Sequence, residues 1–354
     1  MTGTAAVVEA DDDVRHALRA DRRLRRRRNL TVCAAGGGLV LALVLVGLTL
    51  GSVRLSARQV LLSLLGRMDN ASINFVVREL LGPQVLAAVV TGVALGVAGT
   101  LFQQLLRNPL AAPDFVGVSS GASLAAVAGI VVYGWSGISV PLLALLGALV
   151  SAILMYVLAW RDGVDGYRFI LVGIGVSAFF TGLTSYLLAR SDISDARQAM
   201  RWLTGSVGQS GMTEVWLLAA ALVALVPLWP ALRRSLHTLT LGDDAARALG
   251  TRAEPARLGL VLVAVVLTAL ATAVSGPLAF VALVAGPVAD RLLRRAAGGL
   301  LAAGLVGAAL VLVADYVATY LLPVALPTGV VTGAVGAPYL LWLLVTSNRE
   351  GSLS

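Results

Sequence analysis

The groups able to do chemistry are few and scattered. The 354-residue chain carries two histidines, His16 and His237, one cysteine, Cys33, and no lysine at all. Neither histidine belongs to a Cys/His/Asp cluster with metal-ligand spacing, so no metal is expected. Cys33 lies in an apolar stretch, and a lone thiol forms no internal disulfide, so it is expected to be an inert packing contact. No G-x-S-x-G elbow or H-E-x-x-H helix occurs, and no histidine stands beside a plausible nucleophile, which argues against an intramembrane enzyme. A Walker A loop needs its lysine to reach nucleotide phosphates, and that lysine is missing. If ATP drives this protein, another chain must bind it.

One acid stands out. Asp315 interrupts the apolar run Leu310-Val311-Leu312-Val313-Ala314, where a carboxylate is costly and should face the bundle interior or an aqueous cavity. The residues alone leave two roles open: a proton- or cation-coupling site, or a buried polar anchor hydrogen-bonded to a neighbouring helix terminus. Asp290 and Arg291, near the end of their apolar segment, read as interfacial.

The elements that must position these groups are membrane helices. Apolar residues make up 58% of the chain, charged ones 13%, and the mean hydropathy is +0.88. That composition excludes an ordinary soluble domain. At roughly 20 residues per span the chain has room for about ten helices. The candidate segments are 30–50, 84–106, 115–133, 138–160, 167–189, 213–231, 256–275, 278–296, 299–321 and 328–346, an all-α integral membrane protein. Pro141, Pro227, Pro277 and Pro287 fall near segment ends or breaks and predict kinks or half-helices there. Closely spaced glycines, Gly92, Gly96 and Gly99, Gly173 and Gly175, Gly304 and Gly307, predict close helix packing.

Residues 1–29 read as a polar, irregular, arginine-rich tail, an anchor touching anionic lipid rather than nucleic acid. No cleavable signal peptide is expected, because the run from Leu30 has spanning length and no small-residue cleavage site follows it. With the amino terminus inside, 20 of the 27 arginines fall in the cytoplasm and seven outside: Arg54, Arg58, Arg67, Arg78, Arg190, Arg197 and Arg201. This is the positive-inside asymmetry, and it makes both termini cytoplasmic, with 30–346 as the membrane domain and 347–354 as a short tail.

Two polar breaks deserve separate reading. Arg107-Asn108-Pro109-Leu110-Ala111-Ala112-Pro113-Asp114 is a double-proline turn between apolar segments. The loop at about 236–252 contains Leu241-Gly242-Asp243-Asp244-Ala245-Ala246-Arg247-Ala248-Leu249-Gly250. Its aspartates open a short helical pattern, Leu249 supplies an apolar face and Gly250 an end cap. Such a helix either lies on the surface or docks in a partner's groove.

Together these strings resemble the FecCD-type permease subunits of binding-protein-dependent importers for ferric siderophores, haem and vitamin B12. The matching strings are 96–121 with its RNPLAAPDFVGVSSGA core, Trp202-Leu203-Thr204-Gly205-Ser206, 241–250, Ser275-Gly276-Pro277-Leu278-Ala279-Phe280-Val281, Ala314-Asp315, and Leu326-Pro327-Thr328-Gly329 with Gly336-Ala337-Pro338. The segment 160–168 with Gly173-Ile174-Gly175 is most similar to the ferric-enterobactin type. The resemblance implies a vitamin B12-importer-like fold in a bacterial cytoplasmic membrane. It also implies a second permease subunit, two ATPase subunits that hold ATP and magnesium, and an extracytoplasmic binding protein.

By the same resemblance, Leu241, Gly242, Asp243, Asp244, Ala246, Arg247, Leu249 and Gly250 form the ATPase-coupling loop, and Arg107, Asn108, Pro109 and Pro113 the motif turn. It likewise makes Asp315 a family-typical position in an ATP-powered machine rather than the coupling site of an ion-driven carrier. Where the family has R-L-P-R, whose arginines receive acidic residues of the binding protein, this chain has Leu81-Gly82-Pro83-Gln84. Thr319 and Gly286-Pro287 are further departures. Arg78, Arg197 and Arg201 are the outward cations left to serve docking.

Overall fold

The computed structural model describes residues 2–49, 55–113, 117–160, 166–294 and 299–351. Asp114 of the turn, residues 161–165 of the enterobactin-type string, Arg54, Arg295 and residues 352–354 lie outside them.

Every regular element among the described residues is helical: α1 (Thr2–Thr49), α2 (Ala57–Leu64), α3 (Ala71–Phe75), α4 (Gly82–Leu105), α5 (Val118–Val131), α6 (Ser139–Ala159), α7 (Gly166–Ala189), α8 (Ile193–Thr204), α9 (Met212–Leu225), α10 (Trp229–Thr240), α11 (Asp243–Ala248), α12 (Ala253–Ser275), α13 (Val281–Leu293), α14 (Leu300–Tyr316) and α15 (Thr328–Gly351). Among the described residues six helices are long and apolar enough to cross a membrane, beginning at Arg23, Ala71, Ser139, Ile170, Ala253 and Leu300. The pair α9 and α10 adds a seventh if counted as one bent span. The segments expected at 115–133 and 278–296 are the shorter helices α5 and α13.

One expectation needs correction. Residues 2–29 are not irregular but helical, continuous with the first apolar segment. The stretch has no proline and only one glycine, and its alanine, arginine and leucine are strong helix formers, so nothing stops the helix from running on. The segment 213–231 is bent where its proline predicts a kink, the chain turning by 68° between α9 and α10. Pro227 at that break has no N–H to continue the ladder, which is the reason.

The core is organised around α4. Most residues of α4 are buried and most described residues of α7 are not, so α4 is the axis and α7 a flank. α14, α12 and α13 pack on α4, while α5 packs on α6 and α7. In lipid no hydrophobic force draws helices together, so close approach must come from shape. Gly92, Gly96 and Gly307 provide it: a Cβ on any of them would collide with backbone of the facing helix, and one on Gly99 would collide with Ala282 of α13. Gly175 of α7 behaves differently, with nothing near the position of its missing Cβ. The expected close packing at that glycine is therefore not made within this chain.

Candidate functional site

The double-proline turn and the 239–250 loop, far apart in sequence, meet in space. Arg107 follows α4 in a left-handed conformation (φ 48°) that few non-glycine residues adopt. Its Nη2 donates to the Leu239 carbonyl at 2.9 Å, at the end of α10. Asn108 fixes the turn by accepting the Leu110 N–H through Oδ1 at 2.9 Å, an Asx turn, and by accepting the Ala111 N–H through its carbonyl. Pro109 and Pro113 bracket that turn, and Ala111 and Ala112 are buried beneath it.

Beyond Leu239 the chain makes Gly242, at φ 112°, and enters α11. The helix closes as expected from Gly250: that residue has φ 79°, and the Gly250 and Thr251 N–H groups donate back to Arg247 and Ala246. This satisfies the terminal carbonyls of a helix too short to be stable alone. Ala246 is buried and the Thr251 hydroxyl donates to Thr238 at 3.0 Å, so the loop is pinned on its inner side. Leu241 and Leu249 are each 56% exposed, and Arg247 and Asp244 face solvent with a 3.7 Å ion pair that supplies little energy. The helix is thus pinned on one side, with two exposed leucines at its flanks.

A second assembly joins three further strings. The Ser206 N–H donates to the Ser275 carbonyl at 2.7 Å, Gly329 N–H to the Gly205 carbonyl at 3.0 Å, and Ser210 Oγ to the Val274 carbonyl at 2.8 Å. Gly205 and Gly276, at φ 69° and 68°, lie so close to opposing backbone that a Cβ would strike the Pro277 and Trp202 carbonyls respectively. The 202–206, 275–281 and 326–329 strings are therefore one junction where α8, α12 and α15 abut. Asp315 is attached to its edge. Its Oδ1 accepts from the Thr328 hydroxyl at 3.0 Å, in the first turn of α15, and its Oδ2 from Gln84 Nε2 at 2.8 Å, in the first turn of α4. π-helical turns at Val76–Leu81 and Val317–Leu321 flank this three-helix tie.

The docking candidates separate. Arg78, on the first π-helical turn, donates through both Nε and Nη2 to the Ser63 carbonyl, so its charge is held by the α2 connection. Arg197 and Arg201 lie one turn apart on α8, both exposed. Arg201 lines a cleft of about 470 Å³ together with Gln198, Trp202, Gln209 and Glu214. Gln84 was legible only as a lost arginine, because its partner lies 231 residues along the chain. Among the described residues no three His, Cys, Asp or Glu side chains gather as a metal site.

The family model for the FecCD transport family matches residues 39–346. The chain is 40% identical, over 92% of its length and 98% of the relative's, to the ferric enterobactin transport system permease protein FepG of Escherichia coli K12. It is 38% identical to the achromobactin transport system permease protein CbrC of Dickeya dadantii, covering 87% of this chain and 89% of that one. With the Fe(3+)-citrate import system permease protein YfmE of Bacillus subtilis it shares 35% identity over 88% and 95%. A solved structure of an inward-facing putative metal-chelate type ABC transporter has the same fold, with a TM-score of 0.79 at 24% identity, covering 89% of this chain and 99% of that one. The two pinned motifs, the glycine junction and these similarities over nearly the whole length agree, and the chain belongs to the FecCD transport family.

Proposed function

We propose that this chain is the membrane-spanning permease subunit of an ATP-driven, binding-protein-dependent importer that carries a ferric siderophore into the bacterial cytoplasm. The observation that carries the reading is the 40% identity to a ferric enterobactin permease across 92% of the chain. The pinned loop supports the mechanism. ATP binding closes a pair of ATPase subunits against α11, the loop passes the motion through α10 and through Arg107 into α4, and the helices switch which side is open. The bias comes from the different affinity of the two states for ATP, which is bound with magnesium by the partner chains. This chain makes and breaks no covalent bond.

The topology in this reading has ten spans and both termini in the cytoplasm, with α5 and α13 as the shorter crossings and α15, which contains Pro338, as the last. A second permease covers the flank of α7, where Leu171, Ile174 and Phe179 are exposed. Arg197 and Arg201 on α8 are the docking cations for an acidic binding protein, and such pairs steer encounter more than they supply affinity. The two side-chain donors on Asp315 fit a fixed anchor between helices better than an ion-coupling site. Haem and vitamin B12 are the alternative cargoes within the same family.

Radioiron uptake from a panel of siderophore complexes, in cells with and without the gene, tests this reading. Loss of uptake for one siderophore class is expected. Unchanged uptake across the panel with normal expression would overturn the siderophore assignment and direct the assay to haem and vitamin B12.

A further inference from the structure

At the end of the bundle that carries α11, the basic half of α1 and the amphipathic α10 enclose a cleft of about 1230 Å³. Its walls hold five guanidiniums, Arg25 and Arg28 from α1, Arg233 and Arg234 from α10 and Arg294 from the end of α13, against the single carboxylate of Asp21. Two of these cations are engaged. Arg25 pairs with Asp21 at 2.6 Å, and Arg28 donates to the Leu292 carbonyl at 2.9 and 3.1 Å, which fastens α1 to α13. Arg233, Arg234 and Arg294 face no carboxylate partner among the described residues.

An independent observation points the same way. Gln104 of α4 forms part of the wall, is 9% exposed, and its Nε2 has no acceptor among the described residues. A buried amide donor without an acceptor is destabilising, and a turn of the Gln104 side chain toward the cleft would let a ligand oxygen meet it. Unpaired guanidiniums beside an unmet N–H donor match an anion with several acceptor oxygens, and phosphate fits the planar arginine fork.

Phosphate chemistry could arrive free or on a lipid. Three features favour the lipid. Trp229 lines the cleft at the start of α10, and tryptophan is enriched at headgroup depth. Leu24 and Leu301 line it too, 67% and 56% exposed, giving apolar surface that a free ion would not use. Basic pockets between membrane helices are also known as sites for anionic headgroups.

We propose that this cleft binds the phosphate of an anionic phospholipid, held by Arg233 and Arg234 of α10 and Gln104 of α4, with its acyl chains along Leu24 of α1 and Leu301 of α14. The site does not depend on the cargo or on the ATPase reading.

The test is lipid retention by the full-length chain, purified with the partners it assembles with, delipidated in detergent and titrated with phosphatidylglycerol or phosphatidylcholine while bound lipid is read by native mass spectrometry. Selective retention of phosphatidylglycerol is expected. Arg233→Gln with Arg234→Gln should weaken it roughly thirtyfold, the effect of two near-surface basic contacts, and Gln104→Leu roughly fivefold. Inorganic phosphate in about tenfold excess over the lipid should fail to displace it, because it lacks the chains that lie on Leu24 and Leu301. Equal retention of the two lipids, or unchanged retention in the variants, would overturn the site. Displacement by phosphate alone would overturn the lipid assignment. Should the double variant fail to fold, Arg233→Gln alone and Gln104→Leu carry the same comparison.

Discussion

Asp315 is the residue whose surroundings say most about its role. A side chain 8% exposed, with each oxygen taken by a different helix, is placed to hold α4, α14 and α15 in one arrangement. Replacing it with alanine leaves the Gln84 amide and the Thr328 hydroxyl without their acceptor. In lipid such interhelical bonds are worth about 1 kcal/mol rather than several, because the unfolded chain in the membrane also finds partners. A double-mutant cycle of Gln84→Leu and Asp315→Ala, read by thermal unfolding in detergent, should therefore give a coupling of about 1 kcal/mol. A coupling near zero would remove the anchor. Uptake by Asp315→Asn should persist and be insensitive to collapse of the proton gradient. Arg107 offers a sharper separation of effects, since it combines a left-handed backbone with a long-range side-chain bond. Arg107→Gly relieves the first and deletes the second, whereas Arg107→Ala only deletes. Both should lower uptake roughly tenfold, the worth of one charge-assisted hydrogen bond, without changing cargo binding by the extracytoplasmic protein. Uptake restored by glycine would instead show that the bond to Leu239 has no part in coupling.

Among the elements, the contrast lies between glycines that touch backbone and glycines that touch nothing. Gly96→Leu drives a side chain into the Ala303 and Gly304 backbone of α14, and should cost at least the 1–3 kcal/mol typical of overpacking, about, visible as loss of the monodisperse folded peak in size-exclusion chromatography. Gly175→Leu meets open space within the chain, so unfolding of the isolated subunit should change by less than about 0.5 kcal/mol, while pairing with a second permease should fall. If both variants unfold alike, α7 is not a subunit face. Much of this was legible in the sequence, and for a physical reason. Proline position, helix-opening aspartates and an end-capping glycine are local constraints, so Pro227 marked the break before α10, and Asp243, Asp244 and Gly250 the two ends of α11. The junction at Gly205 and Gly276 was visible only as separate strings, because backbone meeting backbone across distant segments leaves no periodic pattern. Helix α1 was missed over residues 2–29 because charge was read as irregularity, although arginine and alanine favour the helix whatever their solvent.

For the molecule as a whole, the arginine distribution makes a prediction that the helix count does not. In a Cys33→Ser background, cysteines replacing Arg58 or Arg197 should react with a membrane-impermeant thiol reagent added outside, and those replacing Arg247 or Arg349 only after permeabilisation. The reverse pattern would invert the topology and place the coupling loop on the wrong side for a cytoplasmic ATPase. The sequence showed an all-helical membrane body and the family-specific turn and loop; it could not show that α4 is the axis, since burial against other helices and burial in lipid select the same apolar residues. The glycine seam between α4 and α14 has a mechanical meaning. At Gly92, Gly96 and Gly307 backbone rests on backbone, leaving no side chain there to change rotamer and absorb sliding. These two helices, with α13 against them at Gly99, are therefore expected to move as one stiff body. Any opening of a path through the protein is then expected to hinge elsewhere, at the 68° corner before α10 and at the flank of α7, where Gly175 and Gly182 meet no neighbouring atoms.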